Sequence, residues 1–190
     1  MKLDQRFYMQ NDVVSIAKSL LGCKLSVKNG SEIKTGIIVE TEAYSYKEKG
    51  CHAYNYKRTN RTEVMFQKGG VAYVYLCYGI HHLFNVVTNV AGTPEAVLIR
   101  AIQPFESVQK QENKMLSSGP GKLTKALGIN KIHNGISLVE NAIWIEKFKT
   151  IATKEIIECP RIGIDYAEND TLLPWRFYIR GNKYISKAKS

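Results

Sequence analysis

Apolar residues near the start of the chain recur at helical spacing. Val13, Ile16, Leu20 and Leu21 share one helical face, with Asn11 or Asp12 where an N-cap belongs. The pattern predicts a helix over VVSIAKSLLG, closed by Gly22 as a left-handed C-cap. The period then drops to two: KLSVKNG and EIKTGIIVETEAY read as strands joined at Asn29-Gly30, a strong hairpin signal. A second hairpin is predicted in VAYVYLCYGIHHLFNVVTNV, where two β-branched and aromatic runs flank Gly79 and Tyr78 sits at or beside the tip. PEAVLIRAIQP, AIWIEKF and WRFYIRGN follow as strands, whereas FESVQKQENKM and KLTKALGI are predicted helical. Ser118-Gly119-Pro120 opens the second of these helices and Gly128 ends it. Residues 47–70 are polar and glycine-bearing, and are predicted to form a surface loop. Strands and helices do not alternate strictly, and hairpins demand antiparallel pairing, so the fold class is α+β.

Length and charge narrow the class. A chain of 190 residues can bury one core without disulfide or metal support. No segment reaches the roughly 18 apolar residues of a membrane span, and MKLDQRFYMQND has no apolar signal-peptide region. A soluble, cytoplasmic protein is expected. Lys and Arg exceed Asp and Glu by 27 − 17 = 10, which favours a polyanionic partner but also fits a lysine-rich basic protein. Cys23, Cys51, Cys77 and Cys159 form no C-x-x-C pair, and with the histidines they match no zinc spacing. They read as reduced and mostly buried.

Candidate chemistry concentrates between residues 40 and 100. Tyr44, Tyr46, Tyr54, Tyr56, Tyr73, Tyr75 and Tyr78 are interleaved with cations, as stacking on unpaired bases requires, although strands favour tyrosine anyway. In GIIVETEAY, strict alternation puts Glu40, Glu42 and Tyr44 on one face. Two carboxylates on an apolar strand must be paired or used. Arg100, in AVLIRA, is a candidate partner, and a buried Arg–Glu pair explains the pattern as well as acid–base chemistry does. The residues alone do not choose between Glu40 and Glu42. His81-His82 read as packing or surface residues, and SGPGK (118–122) lacks the spacing of a nucleotide-binding loop.

Seven segments in series carry a resemblance. They are VETEAY (39–44), His52-Ala53, RTNRTEVMF (58–66), YVYLCYGIHHLFNVVT (73–88), AVLIRAIQP (96–104), GPGKLTKALGI (119–129), and RIGI with PWRFYIRGN (161–164, 174–182). Together they closely resemble the alkyladenine, or 3-methyladenine, DNA glycosylase family from about residue 10 to 186. The resemblance implies one domain over residues 1–190: a curved, mostly antiparallel sheet with a protruding β-hairpin and surrounding helices. It implies binding of double-stranded DNA containing damaged purines, flipping of the damaged base and hydrolysis of its glycosidic bond. By the same resemblance Glu42 deprotonates the attacking water, and Arg100 helps hold that water together with the backbone carbonyl near Ile162. Tyr44, His52 and Tyr75 line the base pocket, Asn85 discriminates against guanine-type exocyclic groups, and Tyr78 wedges into the minor groove. No lysine falls at a matched catalytic position, so no lyase step is implied. No metal, organic cofactor or membrane partner is implied, and the protein is expected to be a monomer. The stretch Lys47–Cys51 and Asn60 depart from the family pattern, both in the loop framing the pocket. A non-catalytic nucleic-acid binder and a metal-dependent nuclease are the competing readings. The range among 3-methyladenine, 7-methylguanine, hypoxanthine and ethenoadenine stays open.

Overall fold

The computed structural model describes residues 1–105 and 118–186. Two short helices, α1 (Gln5–Tyr8) and α2 (Val13–Ser19), precede the hairpin of β1 (Lys24–Asn29) and β2 (Glu32–Ser45). A second hairpin joins β3 (Ala72–Cys77) to β4 (His81–Thr88), and β5 (Glu95–Pro104) follows. Next come α3 (Pro120–Leu127), β6 (Ile143–Glu146), β7 (Ile156–Cys159) and β8 (Arg176–Ile179). The eight strands form one strongly curled sheet in the order β3-β4-β5-β2-β1-β6, with β8 also paired to β2 and β7 to β8. Every pairing among these strands is antiparallel, in keeping with the α+β expectation.

Local chemistry sets the boundaries. The Asp12 carboxylate accepts from the Val14 and Ser15 amides and starts α2, burying Val13, Ile16 and Ala17 against the sheet. At the other end of the chain, Pro120 occupies the first turn of α3, and Gly128 ends it at φ 77°. The main core includes Leu25, Ile38, Phe84, Val86, Val97, Ile99 and Phe177 together with the α2 residues and Leu123 and Leu127 of α3.

The longest strand changes phase in its middle. Ile38 faces Ile102 across β2–β5, but the next matched pairs are Glu40–Ala101 and Thr41–Ile99. Val39 is therefore an extra residue on β2, and Arg100 an extra residue on β5. Ile38 and Ala43 both lie in the main core, and the Thr41 hydroxyl donates to the Ala17 carbonyl of α2 at 2.9 Å. Core-facing positions thus run 38, 41, 43, a slip of one that turns Glu40 and Glu42 onto the opposite face. A one-residue bulge has this consequence because strand side chains alternate with period two. Strict alternation would have put Ile38 and Glu40 on one side.

The structure departs from the sequence reading in two places. Residues 47–70 do not form a surface loop throughout: Cys51, Ala53, Met65 and Phe66 are buried with Tyr73, Val87 and Ala96 in a second apolar cluster. These residues carry no period in the sequence because they pack from irregular backbone under the loop. The strand β7 and the turn of α1 are additions to the sequence-based elements. Apart from Phe105, the helix expected over FESVQKQENKM lies outside the described residues.

The β3–β4 hairpin closes at the Cys77–His81 pair, with Tyr78 (φ 50°) and Gly79 (φ 71°) both left-handed. Tyr78 is 90% exposed, and Leu76 and Ile80 beside it are exposed too.

Candidate active site

The face of the sheet turned away from the main core carries the charged and aromatic residues. Matched pairs place Tyr73 (β3), Asn85 (β4), Leu98 (β5), Glu42 (β2) and Arg176 (β8) in one row across five strands. Directly opposed residues in antiparallel strands share a face. Residues so far apart in sequence meet because the sheet brings them into register.

Glu40, Glu42, Arg100 and Arg176 form a buried set of two negative and two positive charges, with both glutamates 0% exposed. Such charges persist in a protein interior only when paired and hydrogen-bonded. Glu40 is held by four donors. Its Oε1 accepts from Arg100 Nε (3.1 Å), Arg176 Nε (2.7 Å) and Ser186 Oγ (2.7 Å), and its Oε2 accepts from the Ser186 amide (2.6 Å). Two guanidinium groups therefore share this one carboxylate.

Glu42 is held differently. Its Oε2 accepts from the Tyr44 hydroxyl (2.8 Å) and Arg100 Nη1 (3.2 Å), while among the described residues Oε1 accepts only from the Ile162 amide (2.8 Å). Three bonds leave about one acceptor position on Oε1 for another donor. Ile162 meets Glu42 through its N–H.

The aromatic side chains gather beside this carboxylate. Tyr44 and Tyr75 pack against the second apolar cluster. His52 meets Tyr75 edge-on at 4.7 Å, and its Nδ1 lies 3.0 Å from the Tyr73 hydroxyl. Asn85 is buried under the same cluster, its side-chain amide donating to the Tyr73 carbonyl at 3.1 Å. Guanidinium groups lie against two of the rings: Arg161 is 4.8 Å from the Tyr44 ring centre and Arg61 is 4.6 Å from that of Tyr75.

Burial sets the protonation states. It pushes the Tyr44 hydroxyl well above its ordinary range, and the neighbouring Glu42 charge pushes it further, so this hydroxyl stays a donor. Burial also lowers His52 to about 4, with the Arg61 charge adding to the effect. The imidazole is therefore neutral at pH 7. Burial works against the charge of Arg100, but Glu42 and Glu40 more than offset it and its pKa is raised.

The structure thus brings Glu42, Arg100, Tyr44, His52, Tyr75, Asn85 and the backbone of Ile162 to one region. Tyr78 stands apart on its hairpin tip. Sequence reasoning missed Arg176 and Ser186, which occupy Glu40, and the buried pair of Glu48 with Arg161. An arginine beside apolar positions in WRFYI and RIGI was the available signal. Among the described residues no group of three or more His, Cys, Asp or Glu could hold a metal ion. A separate groove lined by Ile37, Val39, Phe105, Phe148 and Ile179 contains none of the predicted site residues.

A buried carboxylate, an arginine and several aromatic rings in one region, in a protein of charge +10, fit an enzyme acting on a nucleic-acid substrate. Comparison with known proteins gives the family. The model of the methylpurine-DNA glycosylase family matches residues 6–183, and the chain belongs to that family: it is a DNA glycosylase of methylated purines. A relative from Natranaerobius thermophilus is 47% identical, covering 98% of this chain and 99% of its own length. Relatives from Chlamydia felis (45% identical, 98% of each chain) and Bacillus cereus strain AH820 (44%, 98% of this chain and all of the relative) match similarly. All three carry the provisional name 3-methyladenine DNA glycosylase.

Proposed function

We propose that the protein, acting as a monomeric single domain over residues 1–190, flips 3-methyladenine and related damaged purines out of duplex DNA. It then hydrolyses the N-glycosidic bond and leaves an abasic site, without a lyase step. Glu42 is the general base. Its free Oε1 position takes a proton from water, the water oxygen bonds to the sugar C1′, and the C1′–N bond breaks with its electron pair going to the purine. A positively charged alkylated purine then leaves as a neutral base. Arg100 holds the Glu42 carboxylate, whose charge also stabilises the oxocarbenium-like sugar of the transition state.

Tyr44 and Tyr75 stack on the flipped base, neutral His52 borders it, and Asn85 reads its edge. Flipping costs a few kcal/mol, which stacking and the weakness of a damaged pair offset. Tyr78 enters the vacated space, a role suited to an exposed aromatic ring on a tight turn.

The observation that carries this reading is the difference in surroundings: Glu40 is shared between Arg100 and Arg176 and bound to Ser186, whereas Glu42 has one arginine partner and is bonded to Tyr44, beside the other rings. The test is release of free 3-methyladenine from alkylated duplex DNA with a chelator present. Release at the same rate with and without chelator is expected. No release, or release that the chelator abolishes, contradicts the reading.

A further inference from the structure

Glu42 owes two of its three hydrogen bonds to groups that adjoin one residue, Arg161. Arg161 is buried, with its side chain fully out of solvent. Its guanidinium makes a two-pronged contact with Glu48, Nη1 to Oε1 and Nη2 to Oε2, each at 2.7 Å. It also donates to the Ala43 carbonyl on β2 (3.0 Å) and to the Asp170 carbonyl (3.2 Å). The plane lies near Tyr44 on one side and Trp175 on another, at 4.8 and 5.4 Å. The peptide immediately after Arg161 supplies the amide that binds Glu42 Oε1, and the ring that Arg161 backs supplies the hydroxyl on Oε2.

The surrounding backbone is shaped to admit this fork. The Gly50 amide donates to Glu48 Oε2 at 2.7 Å, and a Cβ at Gly50 would come within 2.8 Å of that oxygen and 3.2 Å of Arg161 Nη2. Glu48 stands four residues before His52, in the loop that departs from the family pattern. A rigid, planar, two-pronged pair fixes direction as well as distance, which a lysine cannot do.

We propose that Arg161, clamped by Glu48, is a positioning residue that aims the Glu42 carboxylate by fixing the Ile162 amide and the Tyr44 ring. The inference rests on Glu42 being the general base. Arg161 touches neither base nor sugar in this role. It acts only through Glu42.

The test is a pair of substitutions measured in two backgrounds. Arg161→Met leaves Glu48 buried without a cation, so Glu48→Gln with Arg161→Met is made alongside it to keep the interior neutral and the chain folded. Single-turnover base release is followed at saturating protein, with affinity for a duplex holding a stable abasic-site analogue and the melting temperature recorded for each variant. In the wild-type background the double substitution is expected to slow release by up to about 100-fold, the effect of misplacing a catalytic group by around an ångström. Affinity should stay within about twofold, because no DNA contact is lost. In the Glu42→Gln background the same substitutions should cost nothing further, and Arg161→Lys should recover part of the rate in the wild-type background. An equal loss in both backgrounds, or a folded double variant that keeps the full rate, overturns the positioning role. Full activity of Glu42→Gln itself overturns the general-base reading, a separate result.

Discussion

Two carboxylates separated by one residue on β2 end in unlike surroundings. Glu40 is enclosed by two guanidinium groups and the Ser186 backbone and hydroxyl. Glu42 shares Arg100 with it but is otherwise bound by a ring hydroxyl and a single amide, beside Tyr44 and the rings of Tyr75 and His52. Residue type, burial and formal charge are the same at both positions. The partners differ: Glu40 sits between two arginines, and Glu42 sits between one arginine and an aromatic ring.

The comparison breaks most visibly in stability. Glu40→Gln leaves Arg176 and Arg100 short of countercharge in the interior, and breaking a buried pair in this way costs about 3–5 kcal/mol. Urea unfolding should show that loss for Glu40→Gln and a smaller one for Glu42→Gln, in which Arg100 keeps Glu40 and the amide oxygen can still accept from Ile162. Equal losses would mean that the two surroundings do not differ as described.

A second effect sharpens the aromatic side. His52 is lowered to about 4, first by burial and then by Arg61. Its unfolded pKa is near 6.5, so between these values the unfolded chain binds a proton that the folded one refuses. Stability from neutral His52 is therefore complete above about pH 6.5 and is lost as pH falls towards 4, by up to about 3 kcal/mol. The stability difference between wild type and His52→Gln should shrink over that range when unfolding is followed at several pH values. A pH-independent difference would mean that the imidazole is not held neutral.

Tyr78 lies outside both surroundings, and its effect is the smallest. Tyr78→Ala should weaken capture of damaged duplex by about 1–3 kcal/mol, the value of one stacked ring. The salt dependence of binding, a log–log slope of about −0.9 per phosphate neutralised, should not change because no charge is lost. A change in slope would mean that the hairpin tip contributes through the backbone of the DNA.

Much of the fold was legible because it rests on local chemistry. Asp12, Tyr78-Gly79, Pro120 and Gly128 mark starts and turns that the structure repeats at those positions, and the turn signalled by Asn29-Gly30 falls one residue later, at Gly30-Ser31. The β7 strand was not legible: IIEC is short, and it pairs only with β8, a partner some twenty residues later. At the site, alternation put Glu40, Glu42 and Tyr44 together, but the bulge at Val39 that turns both glutamates from the core leaves no mark in the pattern. Arg100 was legible as a partner for the carboxylates. Arg176, Ser186 and the pairing of Glu48 with Arg161 were not, because Arg161, Arg176 and Ser186 reach their partners from more than a hundred residues away.

One rate comparison tests the role of Glu42 most directly. Glu42→Gln and Glu40→Gln are placed with the same duplex carrying 3-methyladenine, at saturating protein and at a temperature where both are folded, and single-turnover base release is measured. Glu42→Gln should be slower than wild type by roughly 10²–10⁴-fold, the contribution of a general base, while Glu40→Gln keeps most of its rate per folded molecule. A near-wild-type rate for Glu42→Gln, with the loss falling on Glu40→Gln instead, would contradict the assignment.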